Sequence, residues 1–317
     1  MNENEATAEN SMRVIITGGT GLIGRALTNQ LADRGYEIIV LSRHPGSVTG
    51  LPENARAVGW DTYSADGWGH LADGAKAVVN LAGESIAGNG FLPERWTPEK
   101  RHRIRQSRLE AGQAVVDAVR QADVKPDVVI QSSAVGYYGT QGDEIITEAS
   151  PPGDDFLANV CVDWEASTAA VEEMGVRRAI IRTGLVLSTK GGSLPRVLLP
   201  YRLFAGGPFG DGEQWWSWIH IADEAAAIRF LIENEAALGP YNLTAPHPVQ
   251  NDTFGQILAR EMGRPHFLPV PAFAMRALFG EVATVVVEGQ RVLPARLQEA
   301  GYDFRFTELA PALDNLL

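Results

Sequence analysis

The sequence predicts a doubly wound parallel α/β sheet followed by a smaller C-terminal domain, and three observations carry that prediction. Short β-branched runs alternate with helical stretches, the runs (VIIT, EIIVL, AVVNLA, DVVIQ, AIIRT) are almost unbroken apolar, and the first ends in a glycine-rich turn. Alternation calls for crossover helices between parallel strands, and strands without polar alternation belong to a sheet covered on both faces.

In chain order, residues 1–11 (MNENEATAENS) are polar, acidic and aperiodic, and read as a disordered tail. A strand at 13–17 leads into a helix at 22–34, and strands follow at 36–41, 55–60 and 76–81. A helix at 98–121 comes next, with Thr97 as its cap and Pro98 at its first position. A fifth strand at 127–132 precedes a helix at 154–174, and a sixth strand covers 177–183. Beyond that point glycine and proline cluster (Gly191, Gly192, Gly206, Gly207, Pro208, Gly210, Gly212) among Trp215, Trp216 and Trp218, before helical signal returns at 222–234 and 252–262. The boundary is placed so that 12–185 form the sheet domain and 186–317 a mainly substrate-facing domain, part of which packs back on the core.

Composition narrows the function classes. With 39 acidic against 27 basic residues the net charge is −12, which repels phosphate backbones and anionic lipid surfaces. Binding to nucleic acid or to a membrane is not expected. The single cysteine, Cys161, excludes an internal disulfide and suits a reducing cytoplasm. Six histidines (His44, His70, His102, His220, His247, His266) show no paired ligand spacing, so no metal site is expected. No apolar run reaches the roughly 18 residues of a membrane span.

The turn after the first strand reads Thr17-Gly18-Gly19-Thr20-Gly21-Leu22-Ile23-Gly24. Glycines at 18, 21 and 24 allow a tight turn, close approach of backbone to a pyrophosphate, and close helix-to-strand packing, while the helix start offers free N–H groups and a positive dipole end. A mononucleotide loop is excluded, because Arg25 and Ala26 stand where Lys and Ser/Thr are needed. Which dinucleotide fits is decided at the end of the second strand. An NAD site places a carboxylate there, whereas this chain has Ser42 and Arg43, suited to a ribose 2′-phosphate. NADP(H) is the expected cofactor.

Thr17 to Gly24, Val79-Asn80-Leu81-Ala82-Gly83, Ser132-Ser133-Ala134 followed by Tyr138-Gly139, and Trp218 to Asp223 together resemble the extended short-chain dehydrogenase/reductases of the sugar-nucleotide epimerase/dehydratase type. Arg95-Trp96-Thr97, Ser107-Arg108, Trp164-Glu165, Arg182-Thr183-Gly184, Gly206-Gly207-Pro208 and Pro269-Val270-Pro271 are similar to its epimerase family protein branch. The resemblance implies a Rossmann fold and NADP(H) binding. It further implies that Leu81, Ala82 and Gly83 line the cofactor crevice, that Arg108 and Arg103 face its pyrophosphate or ribose, and that Val186 lies near the nicotinamide.

The superfamily's Tyr-x-x-x-Lys dyad is missing. Four residues after the seven tyrosines (Tyr36, Tyr63, Tyr137, Tyr138, Tyr201, Tyr241, Tyr302) stand Val40, Gly67, Gln141, Gly142, Ala205, Ala245 and Phe306. Anchoring on Glu165 puts Leu157 at the tyrosine position and Cys161 at the lysine position. The catalytic candidates are therefore Ser133, which matches the superfamily serine, with Tyr137 and Tyr138 as proton donors; Lys190 is the one lysine expected to approach them. Glu84, as base or anchor, and Arg95 and Trp96, as a site for an anionic or ring-containing ligand, are the substrate-binding candidates. Two readings stay open: an NADP(H)-dependent oxidoreductase or epimerase-like enzyme acting on a small polar substrate, and a non-catalytic NADPH sensor or scaffold.

Overall fold

The structure, a computed structural model, describes residues 12–88, 90 and 92–317; the expected tail at 1–11 lies outside the described residues. Strand β1 (Arg13–Thr17) leads into helix α1 (Leu22–Ala32), then come β2 (Glu37–Ser42), β3 (Ala55–Gly59) and β4 (Ala77–Asn80). Helix α2 (Pro98–Gln121) starts as expected, the Thr97 side chain accepting the Lys100 N–H. Next are β5 (Val128–Ala134), β6 (Gly142–Ile146), α3 (Phe156–Ala166), α4 (Ala170–Glu173), β7 (Arg177–Thr183) and β8 (Leu185–Leu187). The remainder comprises α5 (Leu194–Arg202), β9 (Trp215–Trp216), β10 (Trp218–His220), α6 (Ile221–Glu233), β11 (Gly239–Leu243), β12 (Val249–Gln250), α7 (Asn251–Met262), α8 (Ala272–Phe279), α9 (Thr284–Val287), β13 (Gln290–Val292), α10 (Ala295–Glu299) and α11 (Leu309–Leu316).

One sheet of seven parallel strands, in the order β3-β2-β1-β4-β5-β7-β11, forms the centre. The chain leaves β1 to one side and returns on the other at β4, so a crevice opens beyond the carboxyl ends of these two strands. One apolar cluster, with Val14, Ile16, Leu27, Val40 and Ile228, fills the α1–α6 side of the sheet; a second, with Ile15, Ile39, Val78, Val115 and Val129, fills the α2 side. Alternate residues of a single strand thus serve both layers, which is why the strands read as unbroken apolar runs.

One expectation needed correction. The stretch at 154–174 is not one helix: it breaks into α3 and α4, where the Ser167 hydroxyl bonds the Trp164 carbonyl at 2.7 Å and Ser167 packs against Gly112 of α2. Part of the chain beyond residue 185 packs back on the core: β11 is the seventh strand of the sheet, and α6 and β11 belong to the central layer. A separate core holds the rest of the C-terminal half together around Leu198, Tyr201, Trp216, Trp218, Phe254 and Leu313.

Candidate functional site

The glycine turn has the shape its sequence promised. Gly18 sits at φ +66°, and a Cβ there would lie 2.8 Å from the Leu81 carbonyl carbon and oxygen. A Cβ on Gly24 would lie 2.5 Å from Gly19 Cα. Gly21 caps α1 without any side-chain bond, its own N–H going to Gly18 O at 3.0 Å. The first helical bond is Arg25 N–H to Gly21 O, so among the described residues the amides of Leu22, Ile23 and Gly24 have no backbone partner. Three open N–H groups at the positive end of a helix, on backbone that no side chain obstructs, fit a diphosphate. Thr20 is exposed and its carbonyl accepts from Arg25 Nε.

Hydrogen bonds hold the strand ends beside this turn in register. Thr17 Oγ1 donates to Asn80 Oδ1 at 2.7 Å and accepts the N–H groups of Leu81 and Ala82; Asn80 Nδ2 continues to Gln131 Oε1 at 2.9 Å. Thr17 and Asn80 belong to the motifs of the resemblance and Gln131 to the expected fifth strand; no role was expected of these three polar residues, although each stands at the end of an apolar run. The loop after β8 comes back over the turn: Gly191 and Gly192 lie against Leu22, with Lys190 exposed beside them and Val186 upstream on β8. At the end of β2, Ser42 Oγ accepts the His44 N–H, while Arg43 is exposed and, among the described residues, has no hydrogen-bond or ion-pair partner.

Several expected roles meet a different geometry. Glu84 bonds Lys100 Nζ at 2.7 Å and Arg103 Nε at 3.3 Å. Burial alone would raise its carboxyl, but those two cations outweigh burial and hold it below the usual carboxylate range, which makes it a poor base. Arg103 is thereby committed to Glu84, whereas Arg108 rests on Gly83 and the Trp164 ring and gives Nη1 to the carbonyls of Glu84 and Ile104. Arg95 is not turned toward a ligand: its guanidinium binds the Leu278 and Ala277 carbonyls at the end of α8. Trp96 donates its indole N–H to Ile86 O and packs edge-on against Phe156. Trp216 and Trp218 are core residues, and Trp215 donates to Asp143.

The catalytic candidates surround a charge pair that the sequence reading gave no role. Arg182, on β7, donates Nε and Nη2 to the two oxygens of Glu165, on α3, at 2.8 and 3.0 Å, and both side chains are buried. Ser133 donates its hydroxyl to Glu165 Oε1 at 2.6 Å, so its proton is already committed. The hydroxyl expected to meet a substrate carbonyl is thus engaged within the protein. Tyr138 has its hydroxyl engaged as well. It is 0% exposed, donates to Asn242 Oδ1 at 2.7 Å and accepts from Arg182 Nη1 at 3.0 Å, and burial pushes its hydroxyl up to about 12. Tyr137 is half-buried, with the Arg182 guanidinium over its ring, 3.5 Å from the centroid. Cys161 sits beside Ser133 with its thiol pushed by burial up to about 11, so it is a neutral group at neutral pH. Arg182 left a trace in the sequence: it is the one charge within the run AIIRT.

Comparison with known proteins supports the fold. The model of the NAD dependent epimerase/dehydratase family matches residues 14–244, and a domain of unknown function (DUF1731) matches 270–316. The chain is 38% identical over 305 residues to epimerase family protein SAR0825 of Staphylococcus aureus, covering 96% of this chain and 98% of that one. It is 40% identical over 307 residues to the chloroplastic SDR39U1 homolog of Arabidopsis thaliana, covering 96% and 86%. Among solved structures, human epimerase family protein SDR39U1 with NADPH superposes with a TM-score of 0.84 at 35% identity, covering 96% of this chain and 98% of that one. By its matched sequence and by its seven-stranded parallel sheet, the chain belongs to the NAD dependent epimerase/dehydratase family.

Proposed function

We propose that the protein binds NADP(H) and acts as an oxidoreductase or epimerase-like enzyme on a small polar substrate, without the Tyr-x-x-x-Lys dyad. The observation that carries the cofactor assignment is Arg43: an exposed, unpartnered guanidinium, among the described residues, at the end of the strand next to the open helix start. The human relative was crystallised with NADPH, which supports the same reading. In it, the amides of Leu22, Ile23 and Gly24 take the diphosphate above Gly18 and Gly21, with Thr20 at the rim. Ser42 and Arg43 take the 2′-phosphate, Leu81, Ala82 and Gly83 flank the ribose, Arg108 faces its phosphate side, and Val186 stands at the nicotinamide end.

Bound there, the cofactor supplies or accepts a hydride at its nicotinamide ring. The chain's own part is proton transfer by Tyr137, whose hydroxyl has no partner among the described residues. The sensor reading keeps one specific support: the hydroxyls of Ser133 and Tyr138 are both engaged internally, and Leu157 and Cys161 occupy the dyad positions.

Fluorescence titration with NADPH and NADH tests the cofactor assignment. The wild type prefers NADPH, and Arg43→Ala loses roughly tenfold or more of the NADPH affinity with little change toward NADH, as expected for one charge-assisted phosphate contact. Equal losses for both nucleotides refute it. Turnover of a carbonyl compound with bound NADPH, abolished in Tyr137→Phe, favours the enzyme over the sensor.

A further inference from the structure

Of the seven tyrosine hydroxyls, only those of Tyr63 and Tyr137 have no hydrogen-bond partner among the described residues. Tyr63 is exposed in the loop after the edge strand β3, far in sequence and topology from the ends of β5 and β7. Tyr137 follows β5 directly, and its ring covers Arg182, which projects from the neighbouring strand, where Arg182 is the register partner of Ser133. We propose that Arg182 is the positioning residue for Tyr137, supplying through the ring face the fixed positive charge that a dyad lysine supplies through the ribose side.

Three features make this guanidinium suited to the task. It cannot swing away, because Glu165 holds it at two points and Tyr138 Oη at a third. It cannot give up its charge: burial disfavours the cation, but the bonds to Glu165 overcome that and raise it above the ordinary arginine value. It also lies on the π face, where a cation is attracted to a phenol and more strongly to a phenolate, which spreads negative charge into the ring. Arg182 is itself buried, so such an interaction is worth more than one between two exposed groups.

The remaining charged and titratable neighbours act on Arg182 or point elsewhere. From α3, Glu165 balances it and Cys161 is neutral; from the turn after β6, Glu148 offers its carbonyl to Nη1 at 3.5 Å; from β13, Arg291 stacks on Trp215. Ser133 belongs to the same device, since its bond at 2.6 Å anchors the carboxylate that aims the guanidinium.

The step rests on the NADP(H) reading above. With a reduced nicotinamide supplying the hydride to the substrate's carbonyl carbon and ending oxidised, Tyr137 Oη would give its proton to the carbonyl oxygen, and the phenolate left over Arg182 would regain a proton from solvent.

The test needs neither cofactor nor substrate. Tyrosinate absorbance is titrated in the protein without nucleotide, and the Tyr137→Phe trace is subtracted so that Tyr137 is read alone. In Glu165→Gln, where the cation is no longer balanced, the ionisation of Tyr137 moves to lower pH by about one unit. In the double variant Glu165→Met with Arg182→Met, which removes the pair without stranding a charge, it moves to higher pH by about one unit. Opposite shifts are something a purely structural role does not produce. Ionisation that stays put in both, with circular dichroism confirming the fold, overturns the proposal. A double variant that fails to fold leaves the decision to Glu165→Gln, whose unchanged ionisation overturns it alone. Failure of the NADP(H) reading shows separately, in the nucleotide titrations of the wild type.

Discussion

Gly18 and Gly35 both sit at positive φ, +66° and +81°, yet they differ in what surrounds them. A Cβ on Gly35 meets nothing within 4 Å, whereas one on Gly18 meets the Leu81 carbonyl at 2.8 Å. Replacing either by alanine costs the left-handed backbone penalty of about 1–2 kcal/mol. Only Gly18→Ala adds a backbone clash that pushes β4 away from the turn. Denaturant unfolding therefore reads about 1–2 kcal/mol for Gly35→Ala and more than that for Gly18→Ala, and on the proposed NADP(H) reading only Gly18→Ala loses NADPH affinity in a titration. The spacing of glycines marked position 18 in the sequence. That it touches Leu81, some sixty positions later, is a fact of the sheet order.

At the scale of elements, α6 carries an acid where a buried helix start gives it little water. Glu224 is 0% exposed; its Oε1 accepts the Thr183 hydroxyl at 2.8 Å and its Oε2 has no partner among the described residues. Burial, opposed only by the Thr183 bond, pushes the carboxyl up to about 8. A carboxyl raised in the folded state contributes stability that is fully present below its ordinary value and is lost as pH rises through the folded value. Between about pH 4.5 and pH 8 the wild type accordingly gives up a few kcal/mol from this group. Glu224→Gln, neutral throughout, lacks that part of the decline, and melting scans of the two proteins from pH 5 to pH 9 converge at low pH and separate in favour of the variant at high pH. Parallel scans contradict the assignment. The amphipathic pattern of 222–234 reveals the helix but not which of its acids faces the sheet, because Asp223 and Glu224 are adjacent and both turn inward.

At the scale of the whole molecule, the Asp223 carboxylate is one of the groups that tie the end of the chain to the central layer. Asp223 accepts the N–H groups of Arg305 and Phe306, each at 2.9 Å, and the Tyr302 hydroxyl at 3.1 Å. On the other side, Arg95 holds the end of α8, and Arg101 pairs with Glu281 just beyond it. Asp223→Ala takes the acceptor from the buried Phe306 N–H and from the part-buried Arg305 N–H, at a cost of roughly 1–3 kcal/mol for a buried group left unsatisfied. Hydrogen exchange should then quicken across 302–316 while β1, β4 and β5 stay protected. Uniform exchange across both regions would mean that the tail and the sheet unfold as one unit.

The sequence by itself determined six strands of the sheet and its first turn. A fully covered parallel strand, a crossover helix and a phosphate-binding bend are local patterns, each set by side-chain period, caps and glycine spacing within a few residues. Only the tertiary structure decided which polar residues remain open to a ligand. Ser133, Tyr138, Glu84 and Arg95 each meet partners from distant strands, helices or loops, and Tyr137 comes to rest on an arginine 45 positions downstream. Whether a hydroxyl is free or taken depends on neighbours that the sheet order brings together, and pairings between strands leave no period in the chain.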